Sequence, residues 1–289
     1  MIYFLAHSDW ILFNSRKEIA NKLRNLNYQV SAITTKENFA EELNLNFNNF
    51  YEWKVNKFKL IDIKGIVNLR KSLKILDEGD VLHIFTLKSG LYVLFAMHFL
   101  PKKFKIVLSI TGLGYLFSKG LKSKVMRNIL RIYMKFYFNK NIDYLIFQNH
   151  KDEKILLNYL NFKNKSSLIR GSGVNIANFK TKNVDNTTNI NPIKLIMCCR
   201  LLKDKGINEY FKLASMINED KFEFYLAGSI DLGNPSSFTE SEIKKLTKLH
   251  GIHYLGWINS AKELENFHVS ICMSYHEGLP RIVLESLYI

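Results

Sequence analysis

The sequence predicts an α/β chain folded as two successive domains, each a parallel β-sheet with helices on both faces. Three observations carry that expectation. Short apolar runs alternate with longer amphipathic ones, the rhythm of βα units whose strands are buried on both sides. A polar stretch at 181–192, poor in apolar residues, interrupts the rhythm. Beyond it the same rhythm starts again. The domains are therefore expected at 1–176 and 193–289, joined by a linker at 177–192.

The elements follow in order from these patterns. Residues 2–6 read as a strand, 13–26 as an amphipathic helix and 30–34 as a strand. A helix at 64–76 precedes a strand at 81–86. The helix at 89–100 is stopped by Pro101, which cannot continue it. Then come a strand at 105–110, a long helix at 118–139, a strand at 144–148, a helix at 152–160 and a short strand at 167–170. The second domain reads as strands at 194–199, 222–227, 253–255 and 269–273. Its helices lie at 207–217, 240–249 and 261–267, and another begins near Pro280. The simplest architecture is two Rossmann-like domains facing each other across a cleft, with ligands at the carboxyl ends of the strands. Four strands are fewer than the roughly five or six of a doubly wound domain, so the second domain is expected to be incomplete and the chain truncated at its C-terminus.

Composition narrows the function classes. A chain that is 47% hydrophobic and 13% aromatic is no disordered basic tail, and four prolines with fourteen glycines exclude a collagen-like or low-complexity chain. The net charge of +15 calls for an anionic partner: nucleic acid, an anionic membrane surface or a phosphorylated small molecule. Its distribution is uneven. Residues 81–142 hold eleven basic groups and no acid, whereas 182–289 hold twelve basic and thirteen acidic groups. No helix-turn-helix, RRM, KH or zinc-finger pattern supports nucleic acid as the partner. The three cysteines have no metal-ligand spacing, and the adjacent Cys198 and Cys199 read as buried thiols in a reducing compartment. No signal peptide precedes the first strand, and the longest uncharged apolar run, 91–100, is too short to span a bilayer. The expected location is cytoplasmic.

Three motifs carry chemistry. After the strand at 269–273 comes Ser274-Tyr275-His276-Glu277-Gly278-Leu279-Pro280, with Glu285 on the helix that follows. This places Glu277 on a loop at a strand's carboxyl end. The two carboxylates could touch different parts of one elongated ligand, each able to accept two hydrogen bonds from a vicinal diol. The backbone N–H groups of Gly278 and Leu279 suit a diphosphate at the helix start. After the strand at 194–199 comes Arg200-Leu201-Leu202-Lys203-Asp204-Lys205-Gly206, where Arg200 could bind phosphate in bidentate fashion and Lys205 as a point charge. The third motif, Gly171-Ser172-Gly173-Val174-Asn175 with Phe179, is a glycine-rich turn and an apolar anchor.

In this order and spacing the motifs resemble those of the family-4 retaining glycosyltransferases of the GT-B fold, over nearly the whole chain. The resemblance implies that Arg200 and Lys205 hold and stabilise the departing donor diphosphate, that Glu277 contacts the donor sugar and that Glu285 contacts the ribose. The stretches His83–Gly90, Thr111–Phe117 and Phe147-Gln148-Asn149 look like one branch of that family, which acts on undecaprenyl-diphosphate-linked sugars of O-antigen, capsule or glycoprotein glycans. That branch usually reads Phe-Thr-Pro-Lys-Pro where Leu87 and Ser89 stand beside Lys88. The resemblance places Lys88, Gly112 and Gly114 on the acceptor side of the cleft. His83 lies within a strand and is assigned to the core. No Asp-x-Asp triplet is present, so a GT-B enzyme that neutralises diphosphate with Arg, Lys and backbone N–H groups is expected to need neither a metal nor a cofactor.

Lys124, Arg127, Arg131 and Lys135 recur at helical spacing, with Val125, Met126, Ile129, Leu130, Ile132, Tyr133 and Phe136 between them. A basic helix with bulky apolar neighbours suits an anionic membrane interface. The chain is thus expected to be a peripheral membrane glycosyltransferase with a nucleotide-sugar donor, UDP-linked, and a lipid-diphosphate-linked saccharide acceptor. Two other readings remain open at this point: a UDP-sugar epimerase of the same architecture, and a non-catalytic fragment that binds membrane or acceptor through its first domain.

Overall fold

The computed structural model describes the chain apart from residues 60, 99, 102, 118, 119, 180–190, 218, 219, 232, 233, 235 and 276. Most of the expected linker, the start of the expected helix at 118 and His276 lie outside the described residues. The chain divides into two compact units, Met1–Ser172 and Gly173–Ile289.

The first unit runs β1 (Ile2–Leu5), α1 (Asp9–Ser15), α2 (Lys17–Asn25), β2 (Val30–Thr34), α3 (Ala40–Asn46), β3 (Asn49–Glu52), α4 (Ile63–Leu73), β4 (Val81–Phe85), α5 (Leu87–Ala96), β5 (Lys105–Ile110), α6 (Leu121–Asn141), β6 (Tyr144–Phe147), α7 (His150–Leu160) and β7 (Lys165–Leu168). The seven strands form one sheet in the order β3-β2-β1-β4-β5-β6-β7, every pair parallel. The apolar runs lie at its centre because both faces of a wound parallel sheet are covered. One layer packs Leu5, Ile33, Leu82, Ile84 and Leu108 against α4, α5 and α6. The other packs Phe4, Val30, Ala32 and Phe85 against α1, α2 and α3. The amino terminus is pinned by an ion pair from the Met1 ammonium to Asp80 Oδ1 at 2.8 Å.

The expected helix at 13–26 is two helices. Arg16 leaves helical geometry at φ −129° and ψ −16°, and its side chain turns inward. The amphipathic period runs through this break, so the spacing alone does not show it. Two elements were not foreseen, α3 and β3. In this Asn-rich stretch the alternation Leu43-Asn44-Leu45-Asn46-Phe47 falls mostly on α3, and β3 forms through pairing with β2, with Asn48 Oδ1 accepting from the Val30 N–H at 2.9 Å. Trp53 then enters the core, fully buried, and donates from Nε1 to the Gly65 carbonyl at 2.8 Å.

The second unit runs β8 (Ile193–Cys198), α8 (Ile207–Met216), β9 (Phe222–Ala227), α9 (Glu240–Leu249), β10 (Ile252–Gly256), α10 (Ser260–Glu263), β11 (Val269–Ser270) and α11 (Arg281–Tyr288). Its four-stranded parallel sheet has the order β10-β9-β8-β11. Tyr210 of α8 is buried, and its hydroxyl lies 3.1 Å from the Leu195 carbonyl and 2.9 Å from the Tyr225 carbonyl. Thr239 and Glu242 close a capping box on α9. The expected helix at 261–267 is α10 followed by a 3₁₀ turn at Leu264–Asn266. The expected strand at 269–273 pairs with β8 only over Val269 and Ser270. Cys272 therefore lies beyond the strand and is exposed, whereas Cys198 and Cys199, expected as buried thiols, are half-buried, and burial pushes both thiols up to about 12.

Helix α6 divides its residues between core and solvent. Met134 and Phe138 are fully buried, and Met126, Leu130 and Tyr133 pack against the core. Leu121, Val125, Ile129, Ile132 and Phe136 are exposed. Phe138→Ala is expected to cost the first unit about 3–5 kcal/mol through the cavity it leaves. Ile132→Ala, at a position 83% exposed, is expected to change stability by less than about 0.5 kcal/mol. Urea unfolding of the two variants measures both.

Candidate functional site

In the second unit the loops after β8 and β11 leave the same edge of the sheet because their strands are parallel neighbours. Arg200 starts the first loop and Lys205 ends it; Glu277 lies on the second. Lys205 Nζ donates to Glu277 Oε1, an ion pair whose side chains are only 14% and 28% exposed. The two loops are also joined through their backbones, with the Tyr275 N–H donating to the Asp204 carbonyl at 3.1 Å. Tyr275 donates from its hydroxyl to Glu209 Oε1 at 2.6 Å, which ties the second loop to α8.

Gly206 makes this approach possible. Its φ is +78°, and a Cβ there would lie 2.2 Å from the Met273 carbonyl oxygen. No other residue fits both the dihedral and the contact. The Lys205-Gly206 pair therefore delivers the lysine into the start of α8 while the backbone of the neighbouring loop presses against it.

The remaining residues of these motifs are placed as follows. Arg200 is exposed and its Nη1 pairs with Asp231 Oδ2 at 3.0 Å, so it does not share the Lys205–Glu277 pair. Glu285 lies in the second turn of α11, buried, and Arg281 Nη2 donates to its Oε1 at 2.9 Å. Gly278 and Leu279 are exposed just before α11. Sequence reasoning missed Asp231 and Arg281 as partners. The spacing of Arg281 and Glu285, i and i+4 on a helix, was a usable signal. Asp231 stands in the loop after β9, 31 residues from Arg200, and no local pattern marks it.

In the first unit the carboxyl edge of the sheet carries its own polar groups. His7 Nδ1 lies 3.0 Å from Ser89 Oγ and 3.2 Å from Thr86 Oγ1. Thr86 holds φ at +82°, a dihedral rare for a β-branched residue, at the turn between β4 and α5. Lys88 is half-buried and donates from Nζ to the carbonyls of Lys57 and Lys59 at 2.5 and 2.9 Å. Burial lowers its pKa. It thus braces the loop before α4. Gly112 and Gly114 follow β5, and a Cβ on either would meet no protein atom within 4 Å; Gly114 has φ +60°. His83 lies in β4 with its Nε2 2.8 Å from Ser109 Oγ and its ring against Phe4 and Phe85. Of the basic residues on α6, Lys124, Arg131 and Lys135 are exposed. Arg127, expected beside them, is half-buried instead: Nη1 donates to the Leu116 carbonyl at 3.1 Å and the guanidinium sits 5.4 Å from the Phe117 ring centroid.

Among the described residues no group of three or more His, Cys, Asp or Glu side chains is arranged to hold a metal. No helix of the described residues is long and apolar enough to cross a membrane.

Residues 1–149 match the glycosyl transferase 4-like family, and the chain belongs to that family. A search of curated proteins gives no match. Among solved structures, sucrose-phosphate synthase from Thermosynechococcus elongatus superposes with a TM-score of 0.75 at 15% identity, over 99% of this chain and 78% of that one. Anabaena Alr3699/HepE in complex with UDP and glucose gives 0.73 at 14% identity, over 99% and 78%. The lipopolysaccharide outer core galactosyltransferase WaaB gives 0.59 at 15% identity, again over 99% and 78%. These likenesses show the fold, which is GT-B, and with the family match they make the chain a glycosyltransferase.

Burial holds both His7 and His83 at a pKa of about 3, with Lys88 and Lys57 adding to the effect at His7 and Arg16 at His83. Both are neutral when folded, whereas in the unfolded chain they take up protons below about 6.5. Their contribution to stability is full above pH 6.5 and is lost as the pH falls toward 3. Urea midpoints from pH 7 to 4 are expected to fall less steeply for His83→Gln than for the unsubstituted chain.

Proposed function

We propose that this glycosyltransferase moves a hexose or an N-acetylhexosamine, with retention, from a nucleotide diphosphate onto a lipid-diphosphate-linked saccharide. The setting is the cytoplasmic face of the inner membrane, in the synthesis of a bacterial surface polysaccharide or glycan. The observation that carries the reading is the Lys205–Glu277 pair, which joins two loops distant in sequence at the carboxyl edge of the second sheet. Lys205 has three N–H donors, so it can bind a phosphate oxygen while it still touches Glu277. The same pair would put the cation that stabilises the leaving diphosphate next to the carboxylate that orients the sugar. Arg200 would swing from Asp231 to the diphosphate, a small cost for an exposed ion pair. Gly278 and Leu279 would offer backbone N–H groups, and Glu285, steadied by Arg281, the contact to the ribose. The complex of HepE with UDP and glucose supports a UDP-linked donor. In the first unit Lys88, through the loop it braces, and Gly112 with Gly114 would shape the acceptor side.

The membrane reading rests on α6. Five large apolar side chains, Leu121, Val125, Ile129, Ile132 and Phe136, form an exposed stripe, and the exposed Lys122, Lys124, Arg131, Lys135 and Lys140 flank it. Such a stripe enters the acyl boundary of a bilayer while its cations meet anionic headgroups. The apolar face, and not the basic one alone, is the contact, and Arg127 serves the core side.

Transfer from UDP-[¹⁴C]-sugars to lipid-linked acceptors measures the first claim. Glu277→Ala and Lys205→Ala are each expected to lower kcat at least about 100-fold, and unchanged transfer in both would sink the assignment. Pelleting with vesicles of phosphatidylglycerol tests the second. Ile129→Ser/Ile132→Ser and Lys124→Glu/Arg131→Glu/Lys135→Glu are each expected to abolish it, and retention by both refutes the α6 contact.

A further inference from the structure

The bend between α1 and α2 leaves Arg16 with only 4% of its surface exposed. Its guanidinium carbon stands 4.6 Å from the Phe85 ring centroid, over the last residue of β4. Its Nη1 donates to Ser172 Oγ at 2.8 Å and to the Ser15 carbonyl at 3.3 Å, and its Nε has no hydrogen-bond partner. Among the described residues no carboxylate pairs with it. The neighbouring His83 is neutral, so it adds no second positive charge. A buried cation left in this state is costly, and an anion that paired with it would offset that cost.

The groups around Arg16 point the same way. Ser172, between Gly171 and Gly173 of the glycine-rich turn, accepts from Arg16 and from Gln148 Nε2 at 3.4 Å. With its oxygen taken up by two donors, the Ser172 O–H is left to donate, and none of its recorded bonds uses it. Arg16, Gln148 and Ser172 thus offer donors to a ligand that can only accept. All three stand at the carboxyl edge of the first sheet: Gln148 follows β6 directly, Ser172 follows β7, and Arg16 covers the end of β4. Arg16, Gln148 and Ser172 belong to the first unit, Arg200 and Lys205 to the second.

We propose that Arg16, with Ser172 and Gln148, forms a second oxyanion site that takes a diphosphate group. Assigning that group to the lipid-linked acceptor rests on the function proposed above; the site itself does not.

The test is thermal unfolding of the full chain with inorganic pyrophosphate. Arg200→Ala/Lys205→Ala removes the cations proposed for the donor. In that background pyrophosphate is expected to raise Tm saturably, and adding Arg16→Met is expected to weaken the apparent affinity at least tenfold. Arg16→Met alone, without anion, is expected to leave Tm unchanged or higher, because it removes an uncompensated buried charge. Arg16→Lys keeps the charge without the planar fork and is expected to weaken pyrophosphate several-fold. The proposal is overturned if the Arg200→Ala/Lys205→Ala chain gives no pyrophosphate response, or if the response survives Arg16→Met. It is equally overturned if Arg16→Met unfolds the chain in anion-free buffer, which would make the charge structural. Farnesyl diphosphate and UDP then separate the sources. A farnesyl diphosphate response lost with Arg16→Met assigns the group to the acceptor, and a UDP response lost instead assigns it to the donor; either supports the site.

Discussion

All strands of each sheet run parallel, and the chemistry of both units depends on that constraint. A parallel strand must be followed by a crossover, so every loop that leaves a carboxyl end emerges on one edge. In the second unit this brings Lys205 and Glu277, 72 residues apart, into one ion pair. In the first it gathers His7, Arg16, Thr86, Gln148 and Ser172, which come from five separate stretches of chain. The opposite edge, where strands begin, carries anchoring contacts such as Met1 to Asp80 and the Asp143 carboxylate accepting from the Ile106 N–H at 2.7 Å.

The two edges differ in how their charges are met. In the second unit the two cations expected to hold diphosphate have acidic partners within the unit: Arg200 with Asp231 and Lys205 with Glu277. The nearly balanced charge of 182–289 has this local meaning. In the first unit the stretch with most of the basic excess, β4 to α6, contains no acid at all. Lys88 and Arg127 bind carbonyls and, for Arg127, a ring; Lys105 pairs with Asp143, just past the stretch, at 3.5 Å; Lys124, Arg131 and Lys135 stand in solvent along α6.

The fold was legible where an element's own residues bury it. Val30–Thr34, Lys105–Ile110, Phe222–Ala227 and Glu240–Leu249 stand as the apolar periods place them. The pattern fell short where a neighbour decides the structure. β3 exists through its pairing with β2, and β11 pairs only at Val269 and Ser270 although β8 runs on to Cys198. The bend at Arg16 is a tertiary event: a guanidinium leaves the helix surface for an aromatic ring from a strand 69 residues on. The same division holds at the candidate site. Glu277, Lys205 and Gly206 were visible because strand–loop–helix junctions have a local signature. Asp231, Ser172 as a partner of Arg16, and the exposed apolar stripe within a helix that also supplies core residues needed the three-dimensional arrangement.

The position of β1 has a consequence for biosynthesis. The first strand of the chain is the third of seven across its sheet, and it pairs with β4 in the register Ile2↔Val81. While the chain is being made, β1 and β2 can meet early, but the other edge of β1 stays open until β4 has left the ribosome. At about 5–20 residues per second, the roughly 80 residues between them take several seconds to appear. During that interval the nascent chain presents an apolar strand with one unpaired edge, which is a template for pairing with another chain.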